Sequence, residues 1–257
     1  MKVTQVRNAL LILEMKGKKI VIDPWLAPKS SQDPYPCPIP GRNKLRNSTA
    51  ELLFTVDKIL EKADAIFVTH HHPDHFDEYA VKYIDKNQLL FAQNEEEKKE
   101  FEAFGFKNVK VVTVEGIKFG EITVKRVIGL HGESPEKKCP GESSGYLFEA
   151  EGLKKLYVAG DTVYFDGVKK ALNEFKPDIV VLNACSATTA IGIGRIIMHD
   201  KDVLEVCKEA PYAKVVASHM EAVNHYTVTR KDLKEFLDKN GIKDQVVIPA
   251  DGEVLRF

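Results

Sequence analysis

The sequence lacks the signatures of several protein classes. Its 257 residues contain no apolar run long enough to span a membrane, no C-x-x-C pair among the four cysteines and no low-complexity linker. The 37 Lys and Arg residues are balanced by 38 Asp and Glu residues, so the formal net charge is only −1. Because nucleic-acid binding requires a basic surface, we expect neither a nucleic-acid partner nor a membrane partner.

These absences also indicate a compartment and a domain count. The N-terminal segment lacks a cleavable-signal pattern, so we expect a cytoplasmic protein. Scattered cysteines in a reducing compartment should be free thiols. They are Cys37, Cys139, Cys185 and Cys207. Hydrophobic residues make up 44% of the chain, which suits one domain over residues 1–257 with a substantial core.

The first half of the chain begins with strand patterns and a long loop. Residues 9–14 and 19–22 predict two strands joined as a hairpin. Residues 24–46 are rich in Pro, Gly and Ser and predict a long loop, of the kind that often forms a lid or a binding surface. A helix is expected over residues 50–60, and antiparallel strands are expected within residues 109–127.

The second half repeats strands in alternation with helices, and its last predicted strand is residues 246–248. Many of the strands are short apolar runs without polar alternation, so both faces of their sheets should be covered. We therefore predict an α/β fold, a four-layer αββα sandwich of two mixed sheets with outer helices.

One short run concentrates the residue types that bind metal ions. Residues 70–75 read H-H-H-P-D-H and follow the apolar strand pattern of residues 65–69. In an extended segment, residues i and i+2 point to the same side, so His70 and His72 can share one metal ion while His71 points away. Imidazole is a common ligand of Zn²⁺ and related ions.

The remaining ligands of such a site must come from other parts of the chain. Asp74 and His75 begin a new turn after Pro73, from which they can reach a second metal ion. Further candidates lie just beyond predicted strand ends. They are Asp161, His131 and His219.

Two other histidines compete with His219 for the last ligand position. His199 precedes a predicted helix and can instead serve at its entry. His225 lies six residues after His219 and can line the pocket. We prefer His219 because it lies directly at a strand end.

Three polar residues are candidates for binding substrate. They are His225, Tyr164 and Arg195. Arg195 lies in a glycine-containing loop, where its charge either meets an anionic substrate or stays solvated. Cys185 follows a predicted strand and either faces the site or is a small buried residue. Asp23 either supports a ligand histidine through a hydrogen bond or forms a turn at a strand end.

These residues resemble the metallo-β-lactamase fold superfamily over nearly the whole chain. The likeness rests on the hairpin ending at Asp23, the run at residues 70–75, the V-A-G-D-T run at residues 158–162 and the S-H-M-E run at residues 218–221. Within the superfamily the chain looks most like the branch of ascorbate-6-phosphate lactonase and related metal-dependent hydrolases.

The resemblance implies a site for two metal ions. One ion would be bound by His70, His72 and His131, the second by Asp74, His75 and His219, and Asp161 would bridge both. Zinc suits the histidines, while Mn²⁺ or Fe²⁺ also suits mixed nitrogen and oxygen ligands.

We expect a metal-dependent hydrolase that acts on a small-molecule ester, lactone or phosphodiester. Two divalent ions would hold a hydroxide that attacks the substrate, and the catalytic candidates Asp74 and Asp161 would orient it or take its proton. Three alternatives stay open. They are an RNA-processing endonuclease of the same superfamily, an iron-dependent sulfur dioxygenase, and a metal-binding protein without activity. The oligomeric state also stays open, a homo-oligomer included.

Overall fold

The computed structural model describes residues 1–132, 141–189 and 194–257. Within these ranges the strands are β1 (Lys2–Arg7), β2 (Leu10–Met15), β3 (Lys18–Ile22), β4 (Ala65–Phe67), β5 (Leu90–Ala92), β6 (Val109–Val111), β7 (Ile117–Phe119), β8 (Ile122–Ile128), β9 (Ser144–Glu149), β10 (Leu156–Val158), β11 (Ile179–Asn183), β12 (Lys214–Ser218), β13 (Val246–Val247) and β14 (Val254–Arg256). The helices are α1 (Val56–Leu60), α2 (Glu78–Tyr83), α3 (Glu95–Ala103), α4 (Asp166–Phe175), α5 (Asp200–Glu209) and α6 (Arg230–Lys239).

The strands form two seven-stranded mixed sheets. The first has the order β14-β1-β2-β3-β4-β5-β6, and the second has the order β13-β12-β11-β10-β9-β8-β7. Strands β3 to β6 run parallel in the first sheet, and β10 to β13 run parallel in the second. Each sheet is completed by antiparallel strands.

An apolar core lies between the two sheets. Phe67 of β4 stacks on Phe91 with ring centroids 4.3 Å apart, and it meets Phe148 of the opposite sheet at 5.4 Å. Two more clusters of buried apolar side chains lie on the outer faces, where α1 to α3 cover the first sheet and α4 to α6 cover the second. The layers are therefore helices, sheet, sheet and helices, which confirms the predicted αββα sandwich.

Several predicted elements differ from those observed. The helix expected over residues 50–60 is confined to α1 because Thr55 is its N-cap and accepts a hydrogen bond from the Lys58 N–H. Strand β6 pairs parallel with β5, so only β7 and β8 form the antiparallel pair expected within residues 109–127. Two strands were not predicted from the sequence. They are β14, which follows the last predicted strand, and β1, with which β14 pairs.

Three cysteines among the described residues, Cys37, Cys185 and Cys207, are free and buried. Cys139 lies outside the described residues. Among the helices that the structure describes, none has both the length and the apolar character needed to cross a membrane.

The parallel strands bring polar residues to one edge of the sandwich. Because parallel strands end at the same edge of a sheet, residues that follow them are brought close together. His70 lies shortly after β4, Asp161 shortly after β10, and His219 directly after β12, while Asn183 is the last residue of β11. This edge of the sandwich holds the candidate site.

Candidate metal centre

The structure brings all seven predicted metal ligands into one cluster. In each of three groups, one potential ligand atom per residue lies within 4.8 Å of the others. The groups are His70, His72 and His131; His70, His75 and Asp161; and Asp74, His75 and His219. We call the first the His70 triad and the third the His75 triad.

The His70 triad consists of three ring nitrogens that face one another. His72 Nδ1 lies 2.9 Å from His70 Nε2 and 3.3 Å from His131 Nε2. His70 and His131 are buried, whereas His72 is only half-buried, so the triad is reached from the side of His72. Three imidazole nitrogens at this spacing match the donor set of a zinc ion.

The His75 triad combines two imidazoles with a carboxylate. The Asp74 carboxylate oxygen Oδ2 lies 3.2 Å from His219 Nε2 and 3.9 Å from His75 Nε2. His75 Nε2 is fully buried and has no hydrogen-bond partner among the described residues. A buried polar atom without a partner is costly, so a cation at this point fits the residues present.

Asp161 lies between the two triads. Its Oδ2 is 3.3 Å from His75 Nε2 and 3.6 Å from His131 Nε2, and its Oδ1 is 3.8 Å from His219 Nε2. Asn183 holds this carboxylate in place, because its side-chain amide donates a hydrogen bond of 2.6 Å to Oδ1. Asp161 is therefore oriented to contact ions in both triads.

The backbone takes the left-handed conformation at Gly160, just before the ligand Asp161, and at the ligand His219. Gly160 has φ of +68°, and a Cβ there would lie 2.4 Å from the Ser144 carbonyl oxygen, so only glycine fits before Asp161. His219 itself has φ of +62°. Its N–H donates a 3.0 Å hydrogen bond to the Asn8 carbonyl oxygen, which helps to hold this strained turn.

The other nitrogen of three ligand histidines is also engaged. Asp23 Oδ2 lies 2.9 Å from His75 Nδ1 and 2.7 Å from the Thr69 hydroxyl that donates to it, so Asp23 has the supporting position that the sequence suggested. His131 Nδ1 lies 2.7 Å from the Ile196 carbonyl oxygen. Cys185 Sγ lies 3.5 Å from His219 Nδ1. Such contacts orient a ligand ring toward its metal.

The two triads differ in electrostatic character. Burial and the neighbouring imidazoles lower the pKa of His70 well below its usual value, and burial lowers the pKa of His131 to about 4. Burial acts in the same direction on His75, but three surrounding aspartates outweigh it and raise its pKa to about 10. Against burial, the carboxylate of Asp161 likewise helps to raise the pKa of His219. The pKa shifts therefore favour neutral rings at His70 and His131 and protonated rings at His75 and His219.

Other histidines lie apart from the cluster. His71 Nδ1 contacts the Glu100 carboxylate at 2.8 Å, so its side chain points away from the cluster, as its position in the run suggested. His199 is the N-cap of α5 and accepts a hydrogen bond from the Asp202 N–H. The geometry thus brings His219 to the cluster, and it gives His199 the alternative role at a helix entry.

Two of the three predicted substrate-binding residues have contacts elsewhere. The Arg195 guanidinium donates a 2.8 Å hydrogen bond to Asp202. Tyr164 is half-buried, and burial together with the neighbouring carboxylate of Glu209 in α5 raises the pKa of its hydroxyl. Neither of these contacts reaches the metal ligands.

His225, in contrast, is 6% exposed and lies beside the cluster. Burial lowers its pKa to about 4. Its ring meets the ring of Tyr35 edge-on, with centroids 5.1 Å apart. Burial and the neighbouring Asp74 carboxylate raise the pKa of Tyr35 well above its usual value.

Sequence reasoning missed Tyr35 and Asn183. Asn183 carried a signal, since it is a polar residue directly after the apolar run of residues 179–182. Tyr35 lies in the long loop of residues 24–46, where no period or strand end marks it.

The fold and the cluster define a class of protein, a metal-binding αββα sandwich with its ligands at one edge. The chain belongs to the metallo-β-lactamase superfamily, because the family model described as a β-lactamase superfamily domain matches residues 18–220. The UPF0173 protein YddR of Bacillus subtilis (strain 168) is 39% identical over 258 residues, which cover all of both chains.

Two solved structures are similar over almost their whole length. The isothiocyanate hydrolase from Delia radicum gut bacteria has a TM-score of 0.94 and 39% identity, with coverage of 100% of this chain and 99% of the other. A possible metal-dependent hydrolase from Veillonella parvula DSM 2008 has a TM-score of 0.92 and 33% identity, with coverage of 99% and 98%. This chain is a metal-dependent hydrolase of the same superfamily. These relatives do not support the expected closeness to ascorbate-6-phosphate lactonase.

Proposed function

We propose that this hydrolase binds two divalent metal ions and cleaves a small electrophile of the isothiocyanate class. The observation that carries the two-ion proposal is the meeting of the His70 triad and the His75 triad at Asp161, whose Oδ2 lies 3.6 Å from His131 Nε2 and 3.3 Å from His75 Nε2. The ligands would be His70, His72 and His131 for one ion and Asp74, His75 and His219 for the other, with Asp161 between them. Zinc fits this nitrogen-rich set.

When bound, such ions supply a water molecule with a pKa lowered to about 7 and polarise the electrophile. The chain's own residues then control protons and orientation. Asp161 and Asp74 belong to the groups that would hold the ions, and each could accept a proton from such a water. Asn183 fixes Asp161 through the hydrogen bond to Oδ1, so Oδ2 stays directed to His75 and His131.

The substrate class is supported by the similarity to the isothiocyanate hydrolase, which extends over the entire chain. Hydrolysis of an isothiocyanate consumes one water and gives a primary amine and carbonyl sulfide. It requires attack on a small, flat carbon centre and no separate Ser or Cys nucleophile. Esters, lactones and phosphodiesters contain comparable electrophiles and belong in the same substrate panel.

The test combines metal analysis with that panel. We expect the purified protein to contain two zinc ions per chain and to release amine from benzyl isothiocyanate, as followed by chromatography. His72→Ala should lower the activity by more than about 100-fold and reduce the metal content. His71→Ala is the matched control, because His71 is a histidine of the same run that contacts Glu100.

Two results would contradict the proposal. If the wild-type protein holds only one metal ion per chain at saturating zinc, the proposal of two metal ions is wrong. If the metal-loaded protein cleaves an ester, lactone or phosphodiester but no isothiocyanate, the proposed substrate class is wrong. Iron as the bound metal, with oxygen consumption, would instead favour a sulfur dioxygenase.

A further inference from the structure

Two buried polar atoms at the edge of the metal centre lack hydrogen-bond partners among the described residues. They are the hydroxyl oxygen of Tyr35 and Nδ1 of His225. The two rings contact each other edge-on, with centroids 5.1 Å apart. A buried donor or acceptor without a partner costs about 1–3 kcal/mol, so both atoms are suited to a ligand that the chain itself does not supply.

The side chain of Asn224, the residue before His225, holds the backbone of Tyr35. Its Oδ1 accepts a 3.0 Å hydrogen bond from the Tyr35 N–H, and its Nδ2 donates a 2.9 Å hydrogen bond to the Tyr35 carbonyl oxygen. Asn224 also donates to the carbonyl oxygen of Arg42 at 3.1 Å. His225 is the next residue along the chain, so the loop that carries Tyr35 is tied to the segment that carries His225.

Tyr35 and His225 both lie near Asp74 of the His75 triad. Burial and the charge of the Asp74 carboxylate raise the pKa of the Tyr35 hydroxyl. Asp74 is also the carboxylate that acts most strongly on His225. A substrate that reaches the metal ligands at this side would therefore meet both side chains.

We propose that Tyr35 and His225 donate hydrogen bonds to the substrate heteroatom on which negative charge develops during attack. This inference rests on the proposed function. In an isothiocyanate, the water oxygen bonds to the central carbon, one π pair of C=N or C=S moves onto nitrogen or sulfur, and a water proton passes to Asp161 or Asp74. The Tyr35 O–H and a ring N–H of His225 stabilise the new charge.

The first test separates kcat from KM on benzyl isothiocyanate. Tyr35→Phe removes only the hydroxyl, and His225→Gln removes the imidazole. Because the hydrogen bonds strengthen as charge develops, we expect kcat to fall by about 100-fold in each variant, whereas KM should change by less than about threefold. The zinc content should equal that of the wild type.

Two matched controls accompany these variants. Tyr226→Phe changes the tyrosine of the same segment, whose ring stacks on Arg42 at 3.8 Å. His71→Gln changes a histidine that contacts Glu100. Both controls should keep the wild-type kcat.

The second test does not depend on turnover. Thiocyanate ion has the linear N-C-S skeleton, and its binding to the zinc-loaded protein can be measured by calorimetry. Loss of one hydrogen bond to this anion should weaken binding by about 10- to 150-fold in Tyr35→Phe, but not in Tyr226→Phe.

Distinct outcomes separate this inference from the proposed function. A wild-type protein that cleaves no isothiocyanate contradicts the proposed function. The comparison of thiocyanate affinity between the wild type and Tyr35→Phe still tests whether the Tyr35 hydroxyl donates a hydrogen bond. Unchanged kcat and unchanged thiocyanate affinity in Tyr35→Phe would overturn the inference. Loss of zinc in Tyr35→Phe would also overturn it, because the hydroxyl would then serve Asp74 rather than the substrate.

Discussion

The two triads should release different numbers of protons when they bind zinc. Metal ions displace protons from their ligands, so a ligand that is protonated beforehand must lose its proton. The pKa of His75 is raised to about 10 and the pKa of His219 is also raised, whereas the pKa values of His70 and His131 are lowered. At pH 6 we therefore expect about two protons to leave the His75 triad and almost none to leave His70 and His131 of the His70 triad.

The magnitude follows from the raised pKa values. Removing a proton at pH 6 from a group with a pKa of about 10 costs about 5 kcal/mol, at 1.36 kcal/mol per pH unit. A site that releases two protons should gain about 100-fold in zinc affinity for each pH unit below both pKa values. Zinc affinity therefore rises with pH, because the raised pKa values mean that protons compete with the metal and leave as the pH rises.

Two variants isolate the triads. His131→Ala removes a ligand of the His70 triad, and His219→Ala removes a ligand of the His75 triad. Each metal-free variant is titrated with zinc by calorimetry in buffers of different ionisation enthalpy, and the slope gives the number of protons released. At pH 6 a zinc-bound water with a pKa near 7 largely keeps its proton, so it adds little to the count.

We expect nearly two protons per zinc from His131→Ala and at most one from His219→Ala, in which His75 keeps its raised pKa. Equal proton release in both variants, or a zinc affinity of His131→Ala that does not change between pH 5 and pH 7, would refute the reasoning. Either result would mean that the aspartates do not hold protons on the His75 triad.

Three substitutions test the supports of the site. Asn183→Ala should weaken zinc binding by about 10- to 100-fold, as measured by competition with a chelator, because Asp161 loses its 2.6 Å hydrogen bond. Gly160→Ala should lower the free energy of unfolding by more than about 2 kcal/mol in a urea titration, since its Cβ would lie 2.4 Å from the Ser144 carbonyl oxygen. Asn224→Ala should cost about 3 kcal/mol of unfolding free energy through its lost hydrogen bonds and leave the zinc content unchanged.

Each substitution has a matched control. Gly152 has φ of +73° but no atom within 4 Å of an added Cβ, so Gly152→Ala should cost only the 1–2 kcal/mol of backbone strain. Asn87→Ala changes an asparagine with only exposed side-chain contacts and should leave zinc affinity and stability nearly unchanged. If Gly160→Ala costs no more than Gly152→Ala, the close approach to Ser144 does not constrain the turn.

Most of the metal centre was predictable because its residues obey two local rules. His70 and His72 have the spacing that directs two side chains of an extended segment to one side, and Asp161 and His219 follow apolar strands. In the fold, the parallel strands bring these ends to one edge. His131 also lies beyond a predicted strand end, but a single histidine in a loop with flanking glycines carries little signal, so its assignment depended on the presence of the other candidate ligands.

Tyr164 and Arg195 have acidic neighbours that the sequence does not indicate. Both were candidates because polar groups near the mouth of the site can bind substrate. In the structure, Glu209 adjoins Tyr164 and Asp202 pairs with Arg195, and both acidic residues belong to α5. These contacts with acidic residues of a separate helix arise from the tertiary structure, and no spacing in the sequence predicts them.

Tyr35 is a residue of the site that local sequence reasoning could not identify. Tyr35 lies outside the short helical turn of its loop, Arg42–Lys44, so sequence reasoning could give the loop a role but could not choose a residue within it. The choice depends on Asn224, which is 189 positions away and holds the backbone of Tyr35 by two hydrogen bonds. Asn224 precedes His225, so the contact that orders the loop also sets Tyr35 against His225. If Asn224→Ala lowers kcat for isothiocyanates while zinc stays bound, the position of Tyr35 depends on this distant contact and not on the loop's own sequence.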